Sequence, residues 1–235
     1  MSYLDAGSGK IVANAAETER ANFIKRTYLH LGGAILAFAI LETLLIQSGI
    51  AANFVAMLSG SKWSWLIVLA VFMGVSMLAD HWAHSSISRE KQYLGLGLYT
   101  VAEAVIFMPL IYMAQARADD VLLHAAVITV ALVAGLTFTA FSTKINFSFM
   151  GRFLMIGGFI AMGIIVAAML FGFSLGLWFS GAMILFAAAS VLYSTSNIIH
   201  EYHTEQHVAA SLSLFSSVGL LFWYVLQFLM AFDGD

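Results

Sequence analysis

Seven separate stretches of about 20 mostly apolar residues constrain this chain more than any other feature. A helix of that length crosses the roughly 30 Å hydrocarbon core of a bilayer and satisfies its own backbone while doing so. The stretches are Thr27–Ser48, Trp63–Trp82, Tyr93–Met113, Val121–Phe141, Phe149–Phe171, Leu175–Ile199 and Val208–Met230. Hydrophobic residues make up 61% of the 235 and charged residues 10%, and mean hydropathy is +0.91. A soluble domain has about 45–50% and 25%. The sequence therefore predicts an all-α integral membrane protein in the form of a seven-helix transmembrane bundle. A polar N-terminal tail covers residues 1–26, the bundle residues 27–232 and a short C-terminal tail residues 233–235.

Lys and Arg accumulate in cytoplasmic connections, so their placement orients the bundle. With the N-terminus inside, Lys10, Arg20, Lys25, Arg26, Arg89, Lys91, Lys144 and Arg152 are cytoplasmic, and Lys62 and Arg117 lie outside. That bias predicts a cytoplasmic N-terminus, and seven crossings then put Asp233 and Asp235 on the opposite side. Met1 to Ala21 has no apolar core ahead of a small-residue cleavage site, which argues against a removable signal peptide. Gly7-Ser8-Gly9 looks like a linker, and Ala15 to Lys25 has helical potential with alternating charge. This leader is either solvated chain or a handle for a protease or other partner.

Several functional classes find no support. The net charge of -3 and the lack of a basic run speak against nucleic acid as a partner. With Cys 0, disulfides and thiolate metal sites are impossible. There is no phosphate-binding glycine loop, nucleophile elbow, catalytic carboxylate pair or cofactor fingerprint, so neither an enzyme nor a cofactor is expected.

Ionisable groups inside a membrane are costly and mark candidate sites. Glu42 in the first stretch and Glu103 in the third lie deepest. Facing the bundle interior, they would line a cation or proton path; alternatively, each is a structural group bonded to a neighbouring hydroxyl or carbonyl. Asp80, His81 and His84 end the second stretch ahead of Arg89, Glu90 and Lys91, as an interfacial anchor or, through Asp80 and Arg89, a cytoplasmic gate. His200, His203 and His207 share one face only if the sixth helix continues to Gln206, in which case they could bind zinc or sense acidity. The last two stretches are rich in hydroxyls, among them Ser190, Ser194, Thr195, Ser211, Ser213, Ser216 and Ser217, which serve as interhelical glue or line a wetted path.

Leu192-Tyr193-Ser194-Thr195-Ser196-Asn197-Ile198-Ile199-His200, followed by Ala210-Ser211-Leu212-Ser213-Leu214-Phe215, resembles the signature of the Bax inhibitor-1/YccA family, closest in spelling to its bacterial YccA branch. Ser142-Thr143-Lys144-Ile145-Asn146-Phe147-Ser148-Phe149 is similar to the loop leading into that family's glycine-rich fifth helix, with Asn146 where aspartate is common. The resemblance implies a seven-helix protein of the bacterial inner membrane. In calcium-leaking members it implies two buried aspartates, one in each of the last two helices, that share a proton and sense pH. The matching positions here are Ser194 and Ser217, and a hydroxyl can neither hold that shared proton nor supply charge.

Two roles follow from the resemblance. One is a cation leak or ion-homeostasis protein, with calcium as the transported ion and Glu42 and Glu103 as the remaining charge. The other is a non-conducting modulator of a membrane-anchored ATP-dependent protease. A structural subunit of a membrane assembly is a further alternative.

Overall fold

The computed structural model describes residues 10–85, 88–117, 120–143 and 145–232. Among them are eight α-helices: α1 (Glu17–Gln47), α2 (Ile50–Ser59), α3 (Lys62–Ala83), α4 (Arg89–Arg117), α5 (Val121–Ser142), α6 (Met150–Phe171), α7 (Gly176–His200) and α8 (His207–Phe232). Seven are long and apolar enough to cross a membrane. Each overlaps one of the seven expected stretches, and the two lists differ mainly at the ends. α1 starts ten residues ahead of its apolar run, where Glu17 and Glu19 in the first turn complement the positive end of the helix dipole.

α2 was not anticipated. Its 10 residues, about 15 Å of helix, are too few to cross, so a search for crossing-length runs passes over it. Gly49, at φ 77, turns the chain out of α1 and into α2, in a conformation that a residue with a Cβ adopts only with strain.

α4 and α8 form the centre: 67% and 50% of their apolar windows are buried, against 11% for α6. α4 packs against α3, α1 and α8, and α8 against α7, α1, α5 and α4. Their buried side chains, including Phe107, Leu110, Ile111, Leu221, Val225 and Leu226, belong to one core cluster. α4 runs unbroken through Pro109. It is tied at both ends to the α7–α8 pair: Arg89 donates to Glu205 at 2.9 Å, and Arg117 Nη1 donates to the Met230 carbonyl at 3.1 Å. The outward face of α6 presents Phe153, Phe159 and Phe171, an apolar surface suited to lipid tails.

Close approach, rather than hinge motion, accounts for the best-defined glycines. A Cβ on Gly95 would lie 2.5 Å from the Ala79 carbonyl and 2.6 Å from the Ala83 nitrogen, so α3 and α4 meet backbone to backbone there. Gly157 likewise abuts the Phe186 ring, whereas Gly163 has nothing within 4 Å.

Over residues 10–26 the leader departs from solvated chain, one of the two readings of it. Val12 N donates to the Tyr202 carbonyl at 3.0 Å, Thr204 N donates to the Lys10 carbonyl at 3.2 Å, and Ile11 pairs antiparallel with His203. Val12 is fully buried and Phe23 nearly so. From Lys10 onward the leader is a strap clasped to the α7–α8 connection. Gly7-Ser8-Gly9, Lys144, Asp233 and Asp235 lie outside the described residues.

Candidate functional site

Two polar regions occupy the interior. The first is a hydroxyl cluster at the α7–α8 seam. Ser190 and Ser194 are one turn apart on α7, as Ser213 and Ser217 are on α8, so each pair shares a helix face. Ser194 Oγ lies 2.8 Å from Ser217 Oγ, and Ser190 Oγ lies 3.1 Å from the same atom. Ser213 donates to Ser194 at 3.2 Å, and Ser217 donates back to the Ser213 carbonyl at 3.0 Å. The hydroxyls are thus satisfied by one another without any charge. Ser211 extends the seam to α1 by donating to the Thr27 carbonyl at 2.8 Å. Thr195 donates within its own helix to the Val191 carbonyl at 2.8 Å, with the Tyr28 hydroxyl of α1 beside it.

The second region is an acidic chamber of about 480 Å³ between α1, α4, α5 and α8. Glu42 and Glu103, from different helices, both line it, as does Thr129 of α5. All three residues are buried, at 4%, 3% and 4% exposure. Both oxygens of Glu42, Oε2 of Glu103 and Oγ1 of Thr129 have no hydrogen-bond partner. The structural alternative holds in part at Glu103, whose carboxyl has the Tyr99 hydroxyl beside it, while neither oxygen of Glu42 has a hydrogen-bond partner. Burying an unsatisfied polar group is expensive, so two carboxyls and a hydroxyl lining one space form a candidate site.

The two regions are neighbours. Glu103 Oε1 packs against Gly219, where a Cβ would occupy the same space, and Gly219 is two residues beyond Ser217. One turn before Glu103, Tyr99 donates to Ser216 Oγ at 2.8 Å, with its hydroxyl beside the Glu103 carboxyl. The two glutamates stand out in the sequence, whereas Thr129 and Gly219 do not. Thr129 is the one hydroxyl-bearing residue between Val121 and Leu136, and that isolation was the available signal.

The expected gate divides in two. Asp80 lies 3.3 Å from His84, and Arg89 pairs with Glu205 on the exposed connection between α7 and α8. The Glu205 carboxyl lies within reach of α4's first turn, which explains why Arg89 turns there. The Asp80 side-chain hydrogen bond holds the His84 imidazole above its ordinary pKa, working against partial burial. Tyr202, in the same connection, has its phenol pushed up to about 12 by burial.

The zinc expectation required α7 to continue to Gln206, but it ends at His200. The chain then leaves the helix to receive the strap, so the three imidazoles do not share a helical face. His200 Nδ1 bonds the Ser196 carbonyl at 2.9 Å, and His207 packs 5.0 Å from the His30 ring. Among the described residues no group of three or more His, Cys, Asp or Glu is placed to hold a metal ion.

The loop before α6 is tied to α7. Asn146 Oδ1 accepts from Ser148 N, Phe147 N donates to Ser196 Oγ at 2.9 Å, and Ser148 Oγ donates to Asn197 Oδ1 at 3.0 Å. Two stretches that stood out separately in the sequence therefore form one structural joint.

Seven crossing-length helices around a polar α7–α8 seam define a polytopic helical membrane protein whose buried polar groups sit inside the bundle. Residues 20–234 match the family described as "Inhibitor of apoptosis-promoting Bax1", and the chain belongs to this Bax inhibitor-1 family. It is 28% identical to Bax inhibitor 1 of Schizosaccharomyces pombe over 227 residues, covering 93% of this chain and 79% of the relative. It is 30% identical to an uncharacterised protein of Pseudomonas aeruginosa over 165 residues, covering 70% and 71%. Protein LIFEGUARD 4 of Arabidopsis thaliana is 28% identical over 226 residues, covering 90% and 85%.

Proposed function

We propose that this chain handles cations within the bilayer, taking them into the chamber between α1, α4, α5 and α8. The observation behind this reading is that Glu42, Glu103 and Thr129, each buried and each carrying an unpartnered oxygen, line one chamber. In this reading charge is supplied at the chamber, and the neutral Ser194–Ser217 contact is a closed seam on its flank. A calcium leak, which the resemblance implies, is the activity to test first. The same reading places the protein in a bacterial inner membrane with its N-terminus in the cytoplasm, following the Lys and Arg bias.

The test is calcium entry into proteoliposomes loaded with an indicator, followed from acid to neutral pH. Flux is expected for the natural chain and lost in Glu42→Gln/Glu103→Gln. Ser194→Asp/Ser217→Asp, which restores carboxyls at the seam, is expected to raise the leak and make it pH-dependent. Absence of flux from the natural chain at every pH would sink the leak. Orientation is open to single-cysteine labelling, because the chain has Cys 0. An impermeant maleimide applied outside cells is expected to label Ser48→Cys and not Glu90→Cys, and the reverse pattern would overturn the orientation.

A further inference from the structure

The chamber has room and lining for more than a bare metal ion. Calcium takes 6–8 oxygen ligands at about 2.3–2.6 Å. The buried wall offers the carboxyls of Glu42 and Glu103 and the Thr129 hydroxyl, while Gln47 and Gln115 stand at an exposed end. Most of the remaining lining is hydrocarbon. The volume of about 480 Å³ lies within the roughly 300–1,000 Å³ of small-molecule sites.

Aromatic rings line the same chamber. Phe38 and Phe107 meet edge to face at 5.3 Å, Phe38 and Phe215 at 6.2 Å, and Phe107 and Phe222 stack at 5.9 Å. Ring faces attract an organic cation within about 6 Å of their centres and also receive its hydrocarbon. The chamber is reachable from the side as well. α1 packs against α4, α8 and α2, and α5 against α7, α8 and α4. Between α1 and α5 the lining residues Ile35, Ala39, Thr43 and Val130 are exposed, which in a bilayer means exposed to lipid.

We propose that this chamber binds an amphiphilic organic ammonium ion, admitted from the bilayer through the cleft between α1 and α5. Glu42 and Glu103 accept hydrogen bonds from the ammonium group, and Phe38, Phe107, Phe215 and Phe222 enclose the carbon chain. Two carboxyls with three unpartnered oxygens between them, set in a hydrocarbon wall, suit a ligand with one charged, hydrogen-bond-donating end and an apolar body, since charge-assisted bonds strengthen where water is excluded. The inference rests on the chamber taking cations and narrows their class. A free lipophilic amine and an amino-headgroup lipid share this chemistry.

The test uses the full chain in phosphatidylcholine nanodiscs at pH 7, with octylamine as probe and octanol and octanoate as neutral and anionic counterparts. Thermal unfolding and tryptophan fluorescence are the readouts; Trp223 lies 4.9 Å from Phe107 and reports on the chamber wall. Octylamine is expected to raise the unfolding temperature saturably and shift the fluorescence, with octanol and octanoate inert at matched concentration. Its apparent affinity should fall about tenfold or more in Glu42→Gln/Glu103→Gln. Ala39→Phe leaves both carboxyls in place and changes only an exposed position at the cleft, so it is expected to block binding without unfolding the protein.

Equal responses to octylamine and octanol, or unchanged octylamine affinity in both variants, would overturn the proposal. Competition by phosphatidylethanolamine in the nanodisc would identify a lipid as the source, and its failure to compete a free amine; both uphold the ligand class. Glutamate-dependent calcium flux without octylamine binding would defeat this inference alone, while loss of both would defeat the cation-handling reading as well.

Discussion

The α3–α4 contact makes a sharp demand on a single atom. At Gly95 an added Cβ would fall 2.5 Å from the Ala79 carbonyl oxygen, 2.6 Å from the Ala83 nitrogen and 3.1 Å from the Ala83 Cα. All three are backbone atoms, so no side chain can rotate away and the helices must separate by several tenths of an ångström. Overpacking of this kind costs about 1–3 kcal/mol. A rigid backbone neighbour puts Gly95→Ala near the upper end. Gly→Ala within a helix returns up to about 1 kcal/mol through propensity, leaving a net loss of about 2 kcal/mol. For a chain of this size that corresponds to roughly 4–8 °C in Tm. Gly97, two residues along the same helix, has nothing within 4 Å of its would-be Cβ. Gly97→Ala is therefore expected to leave Tm unchanged or raise it by about 2–4 °C. Thermal unfolding of both variants in the same nanodiscs, followed by tryptophan fluorescence, gives the comparison. If Gly95→Ala proves as stable as Gly97→Ala, the backbone contact between α3 and α4 is wrong.

Three further outcomes follow from the contacts at the strap end of the bundle. Arg89→Ala and Glu205→Ala are expected to change Tm by about 0–1 kcal/mol equivalents, because their side chains are 70% and 63% exposed and surface pairs contribute little; a double-mutant cycle with strong coupling would contradict this. Asp80→Asn should return the His84 imidazole to its ordinary range in an NMR titration. Because the folded value is raised, the stabilisation from Asp80–His84 is present below about pH 6.5 and fades as pH rises through the raised value; a pH-independent difference in Tm between parent and variant would refute the pairing. Val12→Asp puts a charge where the natural side chain has 0% exposure and should release the strap. Faster hydrogen exchange at Val12 N and Thr204 N would show the release, and unchanged protection would deny it.

Much of the fold could be read from hydropathy because a bilayer permits few alternatives: a run of about 20 apolar residues is a crossing helix or nothing. α2 escaped for that same reason, being apolar but half as long. The site was half legible. Glu42 and Glu103 stood out as charge in hydrocarbon, yet their meeting in one chamber depends on how α1 and α4 rotate against α8, and periodicity does not encode that. Gly219 carried no local signal, because its role is set by a carboxyl 116 positions earlier in the chain. The histidine face failed on a backbone event. The α7–α8 connection gives up helix after His200 and pairs with the leader, and antiparallel pairing between such distant segments leaves no mark in either.

α4 runs 29 residues, about 44 Å at 1.5 Å per residue, with an arginine fastened at each end. That length matches the roughly 40–45 Å of a whole bilayer, headgroups included. A strut held at both ends cannot relieve mismatch by tilting alone, as a single anchored helix does. The surrounding lipid must conform to it, thickening or thinning at the protein's edge. The bundle thereby carries its own ruler, set by the packing of α4 against α3, α1 and α8 rather than by the exposed pair at Arg89.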